Sequence, residues 1–341
     1  YKGSKSDVAT IARELEVDAV MTGRMTQRGD DLTISVELTD ARTKKLIWAE
    51  QYDRKMADLL ATQREIASAV TQKLQLKLAG DETGLTKKYT NNNEAYQLYL
   101  KGRFHWNKRT GDGLERAAEF YNQAIEKDPG FALAYAALAE TYVLFGAYGS
   151  LTPSEAMPRA KAAALKSIEI DGSLAEPHTA LGGYYGAYAW NFERSEQEFR
   201  KAIELNPNYP TTWHWMGNLL PIVGKNDEAI AAAKRAEELD PLSAIISSDT
   251  GFDLLIVRRA DEAVEQAKRT LTIDPNFFWA YYVLAMAHNV KGRHVEAETA
   301  ARRAFELNPA PISKGILVQS LAGNGNDRRH RSLWRSCSTS L

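Results

Sequence analysis

Four prolines, Pro207, Pro241, Pro275 and Pro309, stand 34 residues apart, and each follows an apolar residue and an Asp or Asn: Leu205-Asn206, Leu239-Asp240, Ile273-Asp274, Leu307-Asn308. A fixed period of this length implies a repeated helical hairpin, because one hairpin cannot bury its apolar face alone and must stack on its neighbours. Counting back 12, 8 and 5 residues from the last three prolines gives Ala229, Ala233 and Ala236, then Ala263, Ala267 and Thr270, then Ala297, Ala301 and Ala304. Small side chains at these places let paired helices approach closely. Six and ten residues after a proline come large and small partners, Trp213 with Gly217 and Tyr281 with Ala285, and a weaker Ser247 with Gly251. Gly224 and Gly292 lie 17 residues past their prolines, where a helix end calls for a left-handed residue, and Arg258 holds that place between them. A non-glycine residue there costs roughly 1 to 2 kcal/mol, so a loosened turn is expected at Arg258.

This spacing of large, small, alanine and proline positions resembles the tetratricopeptide repeat family. The resemblance implies antiparallel helix pairs in a right-handed superhelix with a concave groove. The register extends back through Ala160, Ala164 and Ser167 before Asp171-Gly172, and through Ala117, Tyr121 and Ala124 before Asp128-Pro129, giving about six repeats between Asn93 and Pro309. The interval from Pro129 to Gly172 holds about nine extra residues, assigned to a longer inter-helix loop over Gly146–Pro158. Ile312, Ile316, Leu317 and Leu321 fit a capping helix, and the tail 323–341 is expected to be disordered, since it carries few apolar residues.

Before the repeats, Val8, Ile11, Ala12 and Leu15 recur at helical spacing, and Leu32, Ile34, Val36 and Leu38 alternate with polar residues as in a half-buried strand. Flanking strands over Asp18–Gln27 and Lys45–Tyr52 complete an antiparallel three-stranded meander, with Trp48 as its expected core anchor, and a helix over Ala57–Leu78 closes the unit. Arg28-Gly29-Asp30 falls where the first hairpin must turn. The order helix, three strands, helix, with Gly23, Asp40 and the run Trp48-Ala49-Glu50-Gln51-Tyr52-Asp53, resembles the TolB-like domain of bacterial multidomain signalling proteins. Members of that family begin with a further strand and helix, so the first strand here is expected to leave an unpaired edge. The resemblance implies a Ser/Thr kinase, an adenylate cyclase or a DNA-binding effector upstream, and the chain, opening on Tyr1, reads as part of something longer. The fold class is thus mainly α: a small α+β domain (1–85), then a tetratricopeptide α-solenoid (86–322).

Basic and acidic residues number 43 and 44 overall, and 13 and 14 within residues 1–85, so no strongly basic face for nucleic acid is expected. The most apolar run, Phe131–Gly149, contains Glu140 and fits a repeat helix better than a membrane span. Compartment stays open: cytoplasmic, or extracytoplasmic if a span lies upstream of Tyr1. Six histidines show no metal-ligand spacing, His178 holds a core-facing place, and the single Cys337 permits no internal disulfide. Leu181-Gly182-Gly183-Tyr184-Tyr185-Gly186 lacks the preceding strand and following Lys-Ser/Thr of a phosphate loop, which leaves a close helix contact at Gly182. Kinase glycine-loop, His-Arg-Asp and Asp-Phe-Gly motifs are absent, so no catalytic residue, cofactor or metal is assigned.

The repeat register instead selects residues for the concave surface: Tyr96, Tyr99, Arg103, Trp106, Glu140, Glu176, Thr179, His214, Asn218, Ser248, Phe252, Trp279, Tyr282, Met286 and Asn289. Aromatic residues gather at both ends with neutral polar residues between. The expected partner is a protein or peptide bearing a hydrophobic anchor, docked on a scaffold within a signalling protein. The rival reading is the non-catalytic carboxy-terminal part of an enzyme, a Ser/Thr protein kinase or adenylate cyclase, whose catalytic domain lies upstream. Oligomeric state is left undetermined.

Overall fold

The computed structural model describes residues 8–15, 17–73, 89–148 and 151–323. The expected tail beyond Gly323 and the end of the Ala57–Leu78 helix past Lys73 lie outside them. Two compact units form: one from the residues up to Phe104 with Glu119–Ala134, the other from His105–Ala118 and Tyr135 onward.

In the first unit, α1 (Val8–Leu15) precedes strands β1 (Ala19–Arg28), β2 (Asp31–Asp40) and β3 (Leu46–Lys55), and α2 (Leu59–Lys73) follows. The sheet is antiparallel in the order β1-β2-β3. Gly29-Asp30 closes the first hairpin with Gly29 at φ 62°, a left-handed value that a two-residue hairpin loop requires and glycine adopts without strain. Leu32, Val36 and Leu38 are buried, as the alternation of β2 predicts. Trp48, however, is only half-buried, and the core residue of β3 is Tyr52. Helix α2 packs on β3 and fixes this choice: Arg54, beside Tyr52, pairs with Glu65 of α2 at 3.0 Å. Among the described residues β1 pairs with β2 alone, and Met21 and Met25, opposite Leu38 and Ile34, are 55% and 66% exposed.

Helices α3 (Asn93–Trp106), α4 (Gly111–Lys127), α5 (Ala132–Tyr148) and α6 (Pro153–Ile170) follow in turn, and after them helical hairpins, α7 (Glu176–Ala187) with α8 (Phe192–Leu205) and α9 (Pro210–Leu219) with α10 (Asn226–Leu239). Then come α11 (Ala244–Ile256) with α12 (Ala260–Ile273), α13 (Phe278–Val290) with α14 (His294–Leu307), and a last helix α15 (Pro311–Gly323). Within the second unit the small positions are closed contacts, with Ala229, Ala236, Ala263, Ala267, Thr270, Ala297, Ala301 and Ala304 all at 0% exposure. The bulky residues return to their own turn. Trp213 Nε1 donates to the Pro207 carbonyl at 2.8 Å and the Tyr281 hydroxyl to the Pro275 carbonyl at 3.1 Å. Between these repeats Ser247 replaces the ring and Thr270 replaces an alanine, and the two buried hydroxyls bond each other at 2.8 Å. Each deviation thus satisfies the other. Gly182 makes the close contact expected of it, since a Cβ there would sit 2.5 Å from the Phe199 ring.

Two further expectations are corrected. The extra residues around Gly146–Pro158 do not form a long loop: α5 runs to Tyr148, α6 starts at Pro153, and these helices have 17 and 18 residues against 14 for α8, α10, α12 and α14. Pro153 suits the first turn, and Thr152 and Glu155 form a capping box, so α6 starts early despite Pro158 within it. Nor is the turn at Arg258 loosened. Arg258 adopts φ 65°, beside 79° at Gly224 and 67° at Gly292. The residue after each donates to the same helical carbonyl, Lys225 to Leu220, Arg259 to Leu254 and Arg293 to His288, at 3.0, 2.7 and 2.9 Å. These bonds and the packing on either side hold an arginine where glycine would be unstrained. Arg258→Gly should therefore raise stability by up to about 1 kcal/mol, the relieved strain less the entropy glycine adds to the unfolded chain. An unfolding midpoint in urea at or below that of the wild type would show that the turn carries no strain.

Candidate functional site

Asp249 and Asp253, one turn apart, are the only charged residues of helix α11. In the second unit both line a cavity of about 890 Å³ that also receives Trp279 and Phe278 from α13, His214, Trp215 and Asn218 from α9, Phe252 from α11, and Lys108 and Arg109 from the turn before α4. Asp249 organises one wall. Its carboxylate accepts the indole N–H of Trp279 at 2.5 Å and the Nε2–H of His214 at 2.6 Å, which fixes both rings. Tyr282 stacks on Trp279 with centroids 4.5 Å apart and planes 7° from parallel, and Phe252 lies 5.7 Å from Trp279 at 42°. These rings form a continuous face on which the indole N–H of Trp279 is already hydrogen-bonded.

Asp253 behaves differently. It is 1% exposed, it makes no ion pair among the described residues, and its Oδ1 has no hydrogen-bond partner. Burial first, and then the neighbouring charge of Asp249, hold its carboxyl well above the usual carboxylate range. The sign follows from linkage: as pH rises past the ordinary carboxylate pKa the unfolded chain ionises while the fold retains its proton, so this group lowers stability with increasing pH until it too ionises. Gly217 of α9 faces it, and a Cβ there would lie 3.4 Å from Asp253 Oδ2.

Of the sequence-predicted residues, His214, Asn218, Phe252 and Trp279 line this cavity, and Tyr282 backs it through the stack on Trp279. Met286 and Tyr282 also pack against the core under α15, and Asn289 Nδ2 donates to Ser320 of that helix at 2.9 Å. Trp106 is buried, with the Arg109 guanidinium 3.6 Å from its ring centre. The internal polar positions are bonded within the stack: Glu140 accepts from Tyr209 at 2.7 Å, and Thr179 and Thr212 share a bond of 2.6 Å. His178 meets Glu198 at 2.8 Å. Ser248 is buried too. Tyr96, Tyr99 and Arg103 belong to the first unit, where Tyr96 is buried with its hydroxyl donating to Gln63 of α2 at 2.7 Å. Tyr99 there joins Tyr96, Tyr121 and Phe131 in an aromatic cluster with centroids 5.4 to 6.1 Å apart. The sequence reading missed Asp249, Asp253 and Arg109. Two acids one turn apart in a helix with no other charged residue were the available signal.

Among the described residues no group of His, Cys, Asp or Glu is arranged to hold a metal ion, and no helix is long and apolar enough to cross a membrane. Residues 2–69 match the family model described as HilA/YgeH-like transcriptional regulator, second domain, and residues 198–231 match a tetratricopeptide repeat model. The amino-terminal match therefore carries a different family's description from the TolB-like one. The chain is 30% identical over 184 residues to "Putative adenylate cyclase 3" of Rhizobium meliloti, covering 53% of this chain and 31% of that protein. It is 25% identical over 248 residues to "Transcriptional regulator HilA" of Salmonella typhimurium, covering 71% of this chain and 43% of the relative. The chain thus spans less than half the length of either relative. Among solved structures, the APC/C hetero-tetramer Cut9-Hcn1 aligns with TM-score 0.51 at 16% identity over 78% of this chain and 54% of that one, a likeness of fold. Period, repeat match and fold agree that the helical part is a tetratricopeptide-like solenoid.

Proposed function

We propose that this chain is a docking scaffold whose cavity in the second unit receives an apolar anchor from a partner protein or peptide. The observation that carries the reading is the ring face of Phe252, Trp279 and Tyr282, held in place by Asp249 and opening on a cavity of about 890 Å³. A cavity of this size with a largely apolar wall and a few fixed polar groups suits a bulky side chain, and desolvated aromatics supply the largest binding terms. On this reading residues 1–85 are a spacer, TolB-like in strand order and matched by the HilA/YgeH-like model, and residues 86–322 do the binding. The chain is then the docking or sensory region of a bacterial regulatory protein whose effector lies elsewhere in the polypeptide. The likeness to a protein named as an adenylate cyclase favours a second form of the same idea, in which the effector is catalytic and this region is not. The coding sequence upstream of Tyr1 separates these two forms.

The binding claim is tested by passing a degenerate library of acetylated, amidated heptapeptides over the immobilised chain and sequencing what is retained. The retained pool should be enriched in a large apolar residue at one position, and Phe252→Ala should remove that enrichment. A pool without apolar preference, or one indifferent to Phe252→Ala, overturns the reading.

A further inference from the structure

We propose that the same cavity selects a cationic side chain, a guanidinium or ammonium group seated against Asp253, next to the apolar anchor of the bound peptide. The inference rests on the docking reading and adds to it the charge of the ligand. The two carboxyls of α11 differ in the one respect that matters for a ligand. Both oxygens of Asp249 are engaged, by Trp279 and His214, whereas Asp253 lines the cavity with Oδ1 unpartnered. A buried carboxyl with an unpartnered oxygen is an unfavourable arrangement in the empty protein, and a ligand bringing N–H donors and positive charge offsets that cost by favouring the ionised carboxylate, the proton that burial holds there passing to solvent on binding. Asp274 and Asp112 line the cavity as well. Its own cations, Lys108 and Arg109, come from a single turn, and the Arg109 guanidinium is stacked on Trp106. Neither pairs with Asp253. Aromatic faces beside the carboxyl add to the selection, since Trp279 and Phe252 attract a cation through their ring quadrupoles.

The heptapeptide library of the preceding test also reads this inference. Retained peptides should be enriched in Arg or Lys at a fixed offset from the apolar residue. The best retained peptide, resynthesised with citrulline for Arg or norleucine for Lys, should bind the wild-type chain about tenfold more weakly by calorimetry. Asp253→Asn, nearly isosteric and checked for an intact thermal transition, should lose the basic preference while keeping the apolar one. Apolar enrichment with no basic preference overturns this inference and leaves the docking reading intact, and an empty pool overturns both. Enrichment in acidic residues, or a basic preference that survives Asp253→Asn, also defeats the assignment. If the variant does not fold, the neutral-isostere comparison on the wild type decides alone: equal affinities refute the proposal.

Discussion

Phe199→Ala should destabilise the solenoid by about 3 to 5 kcal/mol, the usual range for deleting a fully buried ring. Phe199 is 2% exposed and lies against Gly182, which has no Cβ because the ring occupies its place. The reciprocal change is also costly: Gly182→Ala would bring a methyl to 2.5 Å from the ring, and overpacking of this kind costs typically about 1 to 3 kcal/mol. The double variant is the discriminating measurement. Since the added methyl enters space that the lost ring vacates, its destabilisation should fall short of the sum of the singles by about 0.5 to 3 kcal/mol. Strict additivity in urea unfolding would mean that the two positions do not share one contact, and with it the close packing of α7 on α8 would be lost as an explanation.

Trp279→Ala should weaken a library-derived peptide by at least about 2 kcal/mol, roughly thirtyfold in Kd. Three consequences coincide at this residue: the ring face is lost, Tyr282 loses its stacking partner, and Asp249 loses the donor on Oδ1. Trp279→Phe helps to separate them, since it keeps an apolar ring, of smaller area, and removes the N–H. Recovery of most of the affinity by Phe would assign the effect to the ring face. Equal loss in both variants would assign it to what only the indole supplies, its full ring area and its bond to Asp249, and unchanged affinity in both would move the anchor site away from Trp279.

Much of the architecture was legible because it is local and repeated. The alanine positions from Ala229 to Ala304, the alternation of β2 and the turn at Gly29 each follow from spacing alone, and each is found where that spacing puts it. The misplaced features depend on what lies across the fold. Trp48 and Tyr52 occupy the same sheet face, and only the position of α2 decides which is covered. The nine extra residues before Gly172 read as loop because Gly146, Pro153 and Pro158 cluster there, yet a proline in the first turn costs a helix little. At the cavity, repeat register located His214, Asn218, Phe252 and Trp279 on one surface, whereas the bonds from His214 and Trp279 to Asp249 join residues 35 and 30 positions apart. Such a convergence of neighbouring repeats has no signature within any one of them.

The turn at Arg258 also bears on how such arrays change over generations. Its left-handed backbone matches those at Gly224 and Gly292 although no glycine stands there, so the geometry is set by the flanking helices and not by the residue itself. An array held in this way can drift at its punctuation residues, one substitution of about 1 kcal/mol at a time, and still transmit the same shape to its descendants. The match to a repeat model over residues 198–231, beside a solenoid whose helices continue to Leu307, fits such drift.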